Sequence, residues 1–384
     1  MVRVVGVDPG TKTIDICLLE DGIVKDELSI DSYEAALNPN IIVKHILKLN
    51  PIDLVVGPSG YGVEITYIDE IPDDIFEDWY YTYILLARKE EILEGVSRGD
   101  VGSFIYYAMV GMVREFKKMK LPVVFIPGII NLPTVPTYRK FNKVDLGTAD
   151  KLAVTALAVY KTAEKHNIPL DEVNFILAEM GFGYNAVIGV KEGVVVDAFG
   201  GTTMLGPGFL TMSYADLEVA QLIKEWVKTD VFTGGVSYIA KVKTFEELIK
   251  CLNVNEICYQ AWNSFIEGIV KAAHALIPST GLPKYFLTSG RLSKIKEVID
   301  ELNLRLQRSP IFRHVVLEPV GNLRGAKKSK ETAQGYALIG DGLVGGAYKE
   351  VVNHLKIKEA RGTSLDYIRH PKFESFKEKL PKFK

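Results

Sequence analysis

The chain has 384 residues, 47% of them apolar and 24% charged, proportions that exclude bulk disorder and allow two hydrophobic cores. Its 46 basic and 48 acidic residues leave a net charge of −2, which argues against a protein built to coat nucleic acid. No stretch reaches the roughly 20 apolar residues of a membrane span, and the first residues do not read as a leader, so a soluble, cytoplasmic protein without a membrane partner is expected.

The chain opens on a β-branched run, residues 2–7, that reads as a buried strand closed by the turn Asp8-Pro9-Gly10. Strands are expected at 13–20 and 23–30, joined by Asp21-Gly22, an acid-glycine pair of the kind tight hairpins use. Residues 36–49 have helical spacing. A short strand at 52–56 ends in Gly57-Pro58-Ser59-Gly60-Tyr61-Gly62. The acidic run from Asp69 to Asp78 reads as a solvated loop, and the aromatic cluster Trp79-Tyr80-Tyr81-Tyr83 as core or interface. A helix at 101–119 and a strand at 122–126 lead through a proline-bearing connection to a strong helix at 147–166. Thr148 suits its N-cap and Asp150 its first turn. Ala153, Ala156 and Ala163 on its apolar face allow another helix to approach closely.

The second half repeats the first. When Asp8 is placed on Glu179 and the offset is kept constant, Gly10 falls on Gly181 and Asp21-Gly22 on Glu192-Gly193 without a gap. Three strands match three strands, which points to an internal duplication. Helices are then expected at 213–227, 244–252 and 255–277, a strand at 284–287 ending in Thr288-Ser289-Gly290, a helix at 294–302, a strand at 315–317 and a final helix at 330–354. Residues 361–384 carry seven bases against three acids and read as a tail, docked or frayed. The three cysteines, Cys17, Cys251 and Cys258, are too few for a disulfide framework and are expected as buried thiols in a reducing compartment. The isolated histidines offer no zinc spacing.

A strand ending in Asp-x-Gly-Thr has a chemical logic. Asp8 at the strand end can hold a hydrated Mg²⁺. Gly10 lets the backbone approach a ligand, and the amides of Gly10, Thr11 and Lys12 can bind phosphate oxygens. Glu179, with Gly181 and Gly183, offers the same in the second half. Two such turns gripping a polyphosphate supply the positioning and electrostatic stabilisation that phosphoryl transfer needs.

These motifs, in this order, resemble those of the superfamily of acetate and sugar kinases, heat-shock chaperones and actin. The two phosphate motifs look like Asp8 to Thr13 and Glu179 to Asn185. The connecting helices look like 147–166 and 332–348, and the adenosine motif like Leu287-Thr288-Ser289-Gly290. The resemblance implies an α/β protein of two duplicated ribonuclease-H-like domains with an interdomain nucleotide cleft. The domains are expected at 1–150 and 151–355, the final helix packing back at the cleft, with a tail at 356–384. It implies ATP and Mg²⁺ as cofactors and a small-molecule acceptor. Asp8 and Glu179 would hold the metal, and Asp8, Glu179 and Asp150 would be catalytic. Gly10, Thr11, Lys12, Gly181 and Gly183 would bind phosphate; Thr288, Ser289 and Gly290 would bind adenosine. The acceptor would meet Gly57, Ser59 and Gly60 in the first half and Gly201 and Thr202 in the second.

Within the superfamily, Glu179 to Asn185, Lys191-Glu192-Gly193, Val196-Asp197 and Gly206-Pro207-Gly208 are similar to the corresponding segments of acetate and butyrate kinases, and to an archaeal family called predicted butyrate kinases. The chain departs from the carboxylate kinases where Glu179, Asp145 and Asp150 replace histidines, and no arginine follows Gly208 in residues 211–218. The acceptor therefore stands open between a small carboxylic acid and a hydroxyl compound. The rival readings are an ATP-driven switch acting on a protein partner and an inactive nucleotide-binding module. A homodimer is left open.

Overall fold

The computed structural model describes residues 1–383. The chain divides into two compact units: Met1–Leu170 together with the stretch from Gly321 onward, and Asp171–Val320.

The first unit is built on a six-stranded sheet. Its strands are β1 (Arg3–Pro9), β2 (Thr13–Glu20), β3 (Ile23–Asp31), β4 (Leu54–Val56), β5 (Thr66–Tyr67) and β6 (Val123–Phe125), in the order β3-β2-β1-β4-β6-β5. One face carries Val5, Val7, Ile14, Ile16 and Leu18 into a core filled by helices α1 (Asn40–Lys48) and α2 (Val101–Lys118). Trp79 and Tyr80 lie wholly inside that core, as expected of the aromatic cluster. Helix α3 (Ala149–His166) follows.

The second unit has the five-stranded order β11-β10-β7-β8-β9, from β7 (Phe175–Met180), β8 (Asn185–Lys191), β9 (Val194–Gly200), β10 (Tyr285–Ser289) and β11 (Val316–Pro319). Ile176, Ala178, Met180 and Val187 pack against helices α4 (Phe245–Cys251) and α5 (Glu256–Thr280). The chain then returns to the first unit with α6 (Glu331–Leu343).

The duplication is legible strand by strand. In the first unit Asp8 pairs with Asp15 and Asp15 with Ser29; in the second, Glu179 pairs with Ala186 and Ala186 with Gly200, every position at the same offset. The ladder slips between Leu18 and Leu19, and again between their counterparts Gly189 and Val190. Both hairpin turns hold two successive residues at positive φ: Asp21 (47°) with Gly22 (76°), and Glu192 (53°) with Gly193 (71°). That left-handed pair matches the right-handed twist of the strands it joins, which is why an acid-glycine turn recurs there.

Several elements differ from expectation. The helix expected at 36–49 is two, Ser32–Leu37 and α1, because Pro39 intervenes. The long final helix stops at Leu343, where Gly345 turns at φ 87°, and resumes as Lys349–His354. The helix expected at 213–227 shrinks to Leu217–Ile223, none of whose residues is buried. The first unit also keeps 151–170 and the stretch from Gly321, whereas the expected boundaries fall at 150 and 355. The reason is close packing: Gly335 of α6 meets the Ala153 backbone of α3, and Gly6 of β1 meets the backbone of Ala333 and Ala337. The tail is docked on this unit, with Phe383 stacked on Trp79 and Asn142 N–H donating to Tyr367 O at 3.0 Å.

One expectation fails outright. Cys251 and Cys258 form a disulfide that ties the end of α4 to the first turns of α5, because the short connection at 252–255 turns the chain back on itself. Only Cys17 is a free, buried thiol. No described helix is long and apolar enough to cross a membrane.

Candidate active site

In the first unit the strand alternation decides where Asp8 points. Val5 and Val7 enter the core, so Gly6 and Asp8 face the other side of the sheet, toward α6. Asp15, directly opposite on β2, shares that face, and both carboxylates are buried. Two buried acids so close need a counter-charge. Lys330, the residue before α6, provides it: its Nζ lies 2.9 Å from Asp15 Oδ2 and 3.5 Å from Asp8 Oδ2, and donates to Thr13 O at 3.1 Å. Thr13 Oγ1 donates to Asp15 Oδ2 at 2.7 Å. Burial pushes the Asp8 carboxyl up; Lys330 pulls it back, Asp15 and Asp150 push it further, and the balance is about 7.

The backbone leading into Lys330 is itself clamped. The Glu27 carboxylate accepts the N–H groups of Lys327, Lys328 and Ser329 at 2.8, 3.0 and 2.9 Å. Partial burial alone would raise the Glu27 carboxyl, but these bonds and the Ser329 hydroxyl hold it below the usual range.

Asp150 joins the same side of the unit. Burial would raise it, but the Lys151 ammonium at 2.6 Å and the Thr148 hydroxyl hold it low. A carboxylate held low is a poor proton acceptor, so Asp150 suits orientation rather than proton removal. Thr148 occupies the N-cap position of α3, but its side chain bonds Asp150 instead of capping. Gly60 O accepts the Ala149 N–H at 2.9 Å, which ties the Gly57–Gly62 loop to the start of α3. Tyr336 of α6 is buried, and burial, with the nearby charges of Asp150 and Asp8, pushes its hydroxyl well above the usual range. The structure thus brings Asp8, Gly10, Asp150 and Gly60 into one unit. Ser59 is scaffolding: wholly buried, its Oγ donates to Gly57 O at 2.8 Å and accepts the Ile126 N–H at 3.0 Å. Lys12 is exposed, 3.8 Å from Asp31, and Thr11 is half-buried.

In the second unit Glu179, one residue from the end of β7, is buried in one row with Ser289, Ala186 and Gly200. Gly290, at φ 87°, lies against it: a Cβ there would stand 2.6 Å from Glu179 Oε1. Gly181 N–H donates to Tyr184 O at 3.0 Å and closes the turn; Gly183 O accepts the Thr211 N–H at 3.2 Å, which seats the Gly206–Gly208 loop beside it. Ser289 Oγ and both polar atoms of the Asn185 amide are buried without a protein partner. Each such atom costs about 1–3 kcal/mol unless a ligand or water bonds it. Thr288 is buried, and its carbonyl accepts the Val320 N–H at 2.9 Å. Gly201 and Thr202 lie in the turn after the edge strand β9, Gly201 buried and Thr202 half-buried.

Mg²⁺ takes oxygen donors, keeps several waters and is usually held by one or two carboxylates plus substrate phosphates. Asp8 fits that role. Among the described residues no three His, Cys, Asp or Glu are grouped so as to hold a metal ion. Asp15, Lys330, Lys151 and Tyr336 were missed in the sequence. Lys151 adjoins Asp150 and was within reach of sequence reasoning; no spacing rule links Lys330 to Asp8.

The repeated sheet, with an acid one residue from the end of its first strand in each copy, is a duplicated ribonuclease-H-like fold, the fold of solved acetate and propionate kinases. A propionate kinase from Francisella tularensis subsp. tularensis SCHU S4 superposes with a TM-score of 0.58 at 11% identity, over 88% of this chain and 98% of that one. An acetate kinase from Entamoeba histolytica superposes with a TM-score of 0.53 at 10% identity, over 79% and 86%. Likeness at such identity shows the fold and does not single out butyrate kinases. The chain belongs to the DUF1464 family, described as "Protein of unknown function (DUF1464)", whose model matches residues 6–370. A UPF0285 protein of Methanococcus vannielii is 25% identical over 286 residues, 71% of this chain and 78% of that protein.

Proposed function

We propose that this protein is an ATP- and Mg²⁺-dependent phosphotransferase that moves the γ-phosphoryl group to a small-molecule acceptor. One observation carries the reading: the same turn, with an acid at its head and glycine two residues on, closes the same strand in both copies of the repeated sheet. Repeating a buried acid at a strand end serves no packing purpose, and burying it is costly. Each such turn suits phosphate oxygens with their cation. Asp8 is the residue to hold Mg²⁺, which when bound would neutralise charge on the phosphates. Gly10 and Gly181 let the backbone come close to phosphate oxygens. Ser289 Oγ and the Asn185 amide, buried without protein partners, are available to a ligand in the second unit. Asp150, held ionised by Lys151, orients the acceptor, and Gly60 lies beside it. Short-chain carboxylic acids are the first acceptors to test, because the similar structures are a propionate and an acetate kinase.

The test is calorimetry of ATP binding with and without Mg²⁺, on wild type and Asp8→Ala, followed by ADP release across a panel of acids and alcohols. Mg²⁺-dependent binding that Asp8→Ala weakens about tenfold (about 1.4 kcal/mol), with ADP release only when an acceptor is added, is the expected result. A wild-type protein that binds no nucleoside triphosphate overturns the reading.

A further inference from the structure

Lys330 does more than a buried ion pair requires. It is the shallow member of its cluster: its side chain is 26% exposed, against 6% for Asp8 and 1% for Asp15. A ligand approaching the two acids meets the ammonium first. The ammonium also lies inside the Asp8 turn, where a Cβ on Gly10 would stand 2.5 Å from Nζ. Its hold is uneven. Asp15 Oδ2 at 2.9 Å and Thr13 O at 3.1 Å anchor it, whereas Asp8 Oδ2 at 3.5 Å is beyond a good charge-assisted hydrogen bond. The Glu27 carboxylate fixes the three residues before it, so the lysine's base is rigid while its four-carbon stem can reorient.

We propose that Lys330 is a phosphate-binding residue: when a nucleoside polyphosphate enters the Asp8 turn, the ammonium keeps Asp15 and exchanges its long contact with Asp8 for a phosphate oxygen. This rests on the nucleotide reading of the same turn. Charge is the reason such a residue is needed. Polyphosphate placed beside two carboxylates is repelled in a medium where charges are poorly screened, and a cation between them reverses the sign of the nearest interaction. Asp8, relieved of its ammonium, is then open to a hydrated cation.

The test compares wild type, Lys330→Met, Asp15→Asn and the double variant Asp15→Asn/Lys330→Met. The double variant removes one charge of each sign, so it is expected to fold even where Lys330→Met alone does not. Circular dichroism and thermal unfolding check this. ATP and adenosine are then titrated by competition against a fluorescent ATP analogue. The double variant is expected to bind ATP about tenfold or more weakly than Asp15→Asn (about 1.4 kcal/mol or more) while adenosine affinity is unchanged. Equal ATP affinity in the two, or equal losses for ATP and adenosine, overturns the proposal and leaves Lys330 as an internal counter-ion. A wild-type protein that binds no ATP overturns the nucleotide reading itself, and is recognised before any variant is compared.

Discussion

Helix α6 is held between β1 and α3 by close approaches at Gly6 and Gly335, and that is open to a direct test. Gly335 packs so closely that a Cβ would sit 2.0 Å from the Ala153 carbonyl oxygen and 2.4 Å from its carbonyl carbon. Carbon and oxygen do not approach that far, and both obstacles are backbone, so Gly335→Ala forces α6 and α3 apart. Overpacking of a core typically costs about 1–3 kcal/mol, and rigid neighbours place this case at the upper end. Alanine returns about 0.8–1 kcal/mol of helix propensity. The net loss is then about 2 kcal/mol, or about 4–8 °C in the melting temperature of a unit this size. Gly111 in α2 is the control. Its nearest neighbour is Pro39 Cγ at 3.5 Å, an ordinary contact, so Gly111→Ala is expected to raise stability by about 0.5–1 kcal/mol. Urea unfolding followed by circular dichroism, with thermal scans alongside, separates them. The packing argument is refuted if Gly335→Ala melts at or above wild type, or if Gly111→Ala loses as much.

Two further outcomes concern Asp8 and the disulfide. A carboxyl carried from 3.8 to about 7 on folding stabilises the native state below pH 4 relative to higher pH, and that advantage is lost as pH rises through 7. Asp8→Asn in the presence of chelator should therefore equal wild type near pH 4 and exceed it increasingly to pH 8, by roughly 4 kcal/mol at most; a gap that does not change with pH contradicts the burial argument. The Cys251–Cys258 bridge closes a short loop, so Cys251→Ser is expected to cost about 2 kcal/mol of unfolding free energy. Thiol labelling in denaturant should find one free cysteine without reductant and three with it; three without reductant would refute the bridge.

What was legible in the sequence was mostly local. A β-branched run, an acid-glycine turn and the recurrence of both in the second half are signals carried by neighbouring residues, and the structure repeats them down to the slipped ladder at Leu18/Leu19 and Gly189/Val190. The missed helix ends share a cause. At Pro39 and Gly345 a backbone constraint overrode a hydrophobic period that ran on across it. The disulfide escaped because the spacing of Cys251 and Cys258 fits no metal or redox motif, and only the turn between α4 and α5 brings the two sulfurs together.

The candidate site divides in the same way. Asp8, Gly10, Glu179 and Gly181 were visible because strand ends announce them. Their electrostatic setting was not. Asp15 reads as one more polar residue of a strand until the pairing with Asp8 puts both acids on one face. Lys330 lies toward the opposite end of the chain from Asp8, in a run of lysines, and nothing nearby distinguishes it from Lys327 or Lys328. It is selected by two facts of the fold: Glu27 binds the backbone of the three residues before it, and glycine at residue 10 leaves room for its ammonium. A long-range charge of this kind is recoverable only once the helix that carries it is docked. The close packing of Gly6 and Gly335 that docks α6 therefore belongs to the chemistry of the Asp8 turn as much as to the core.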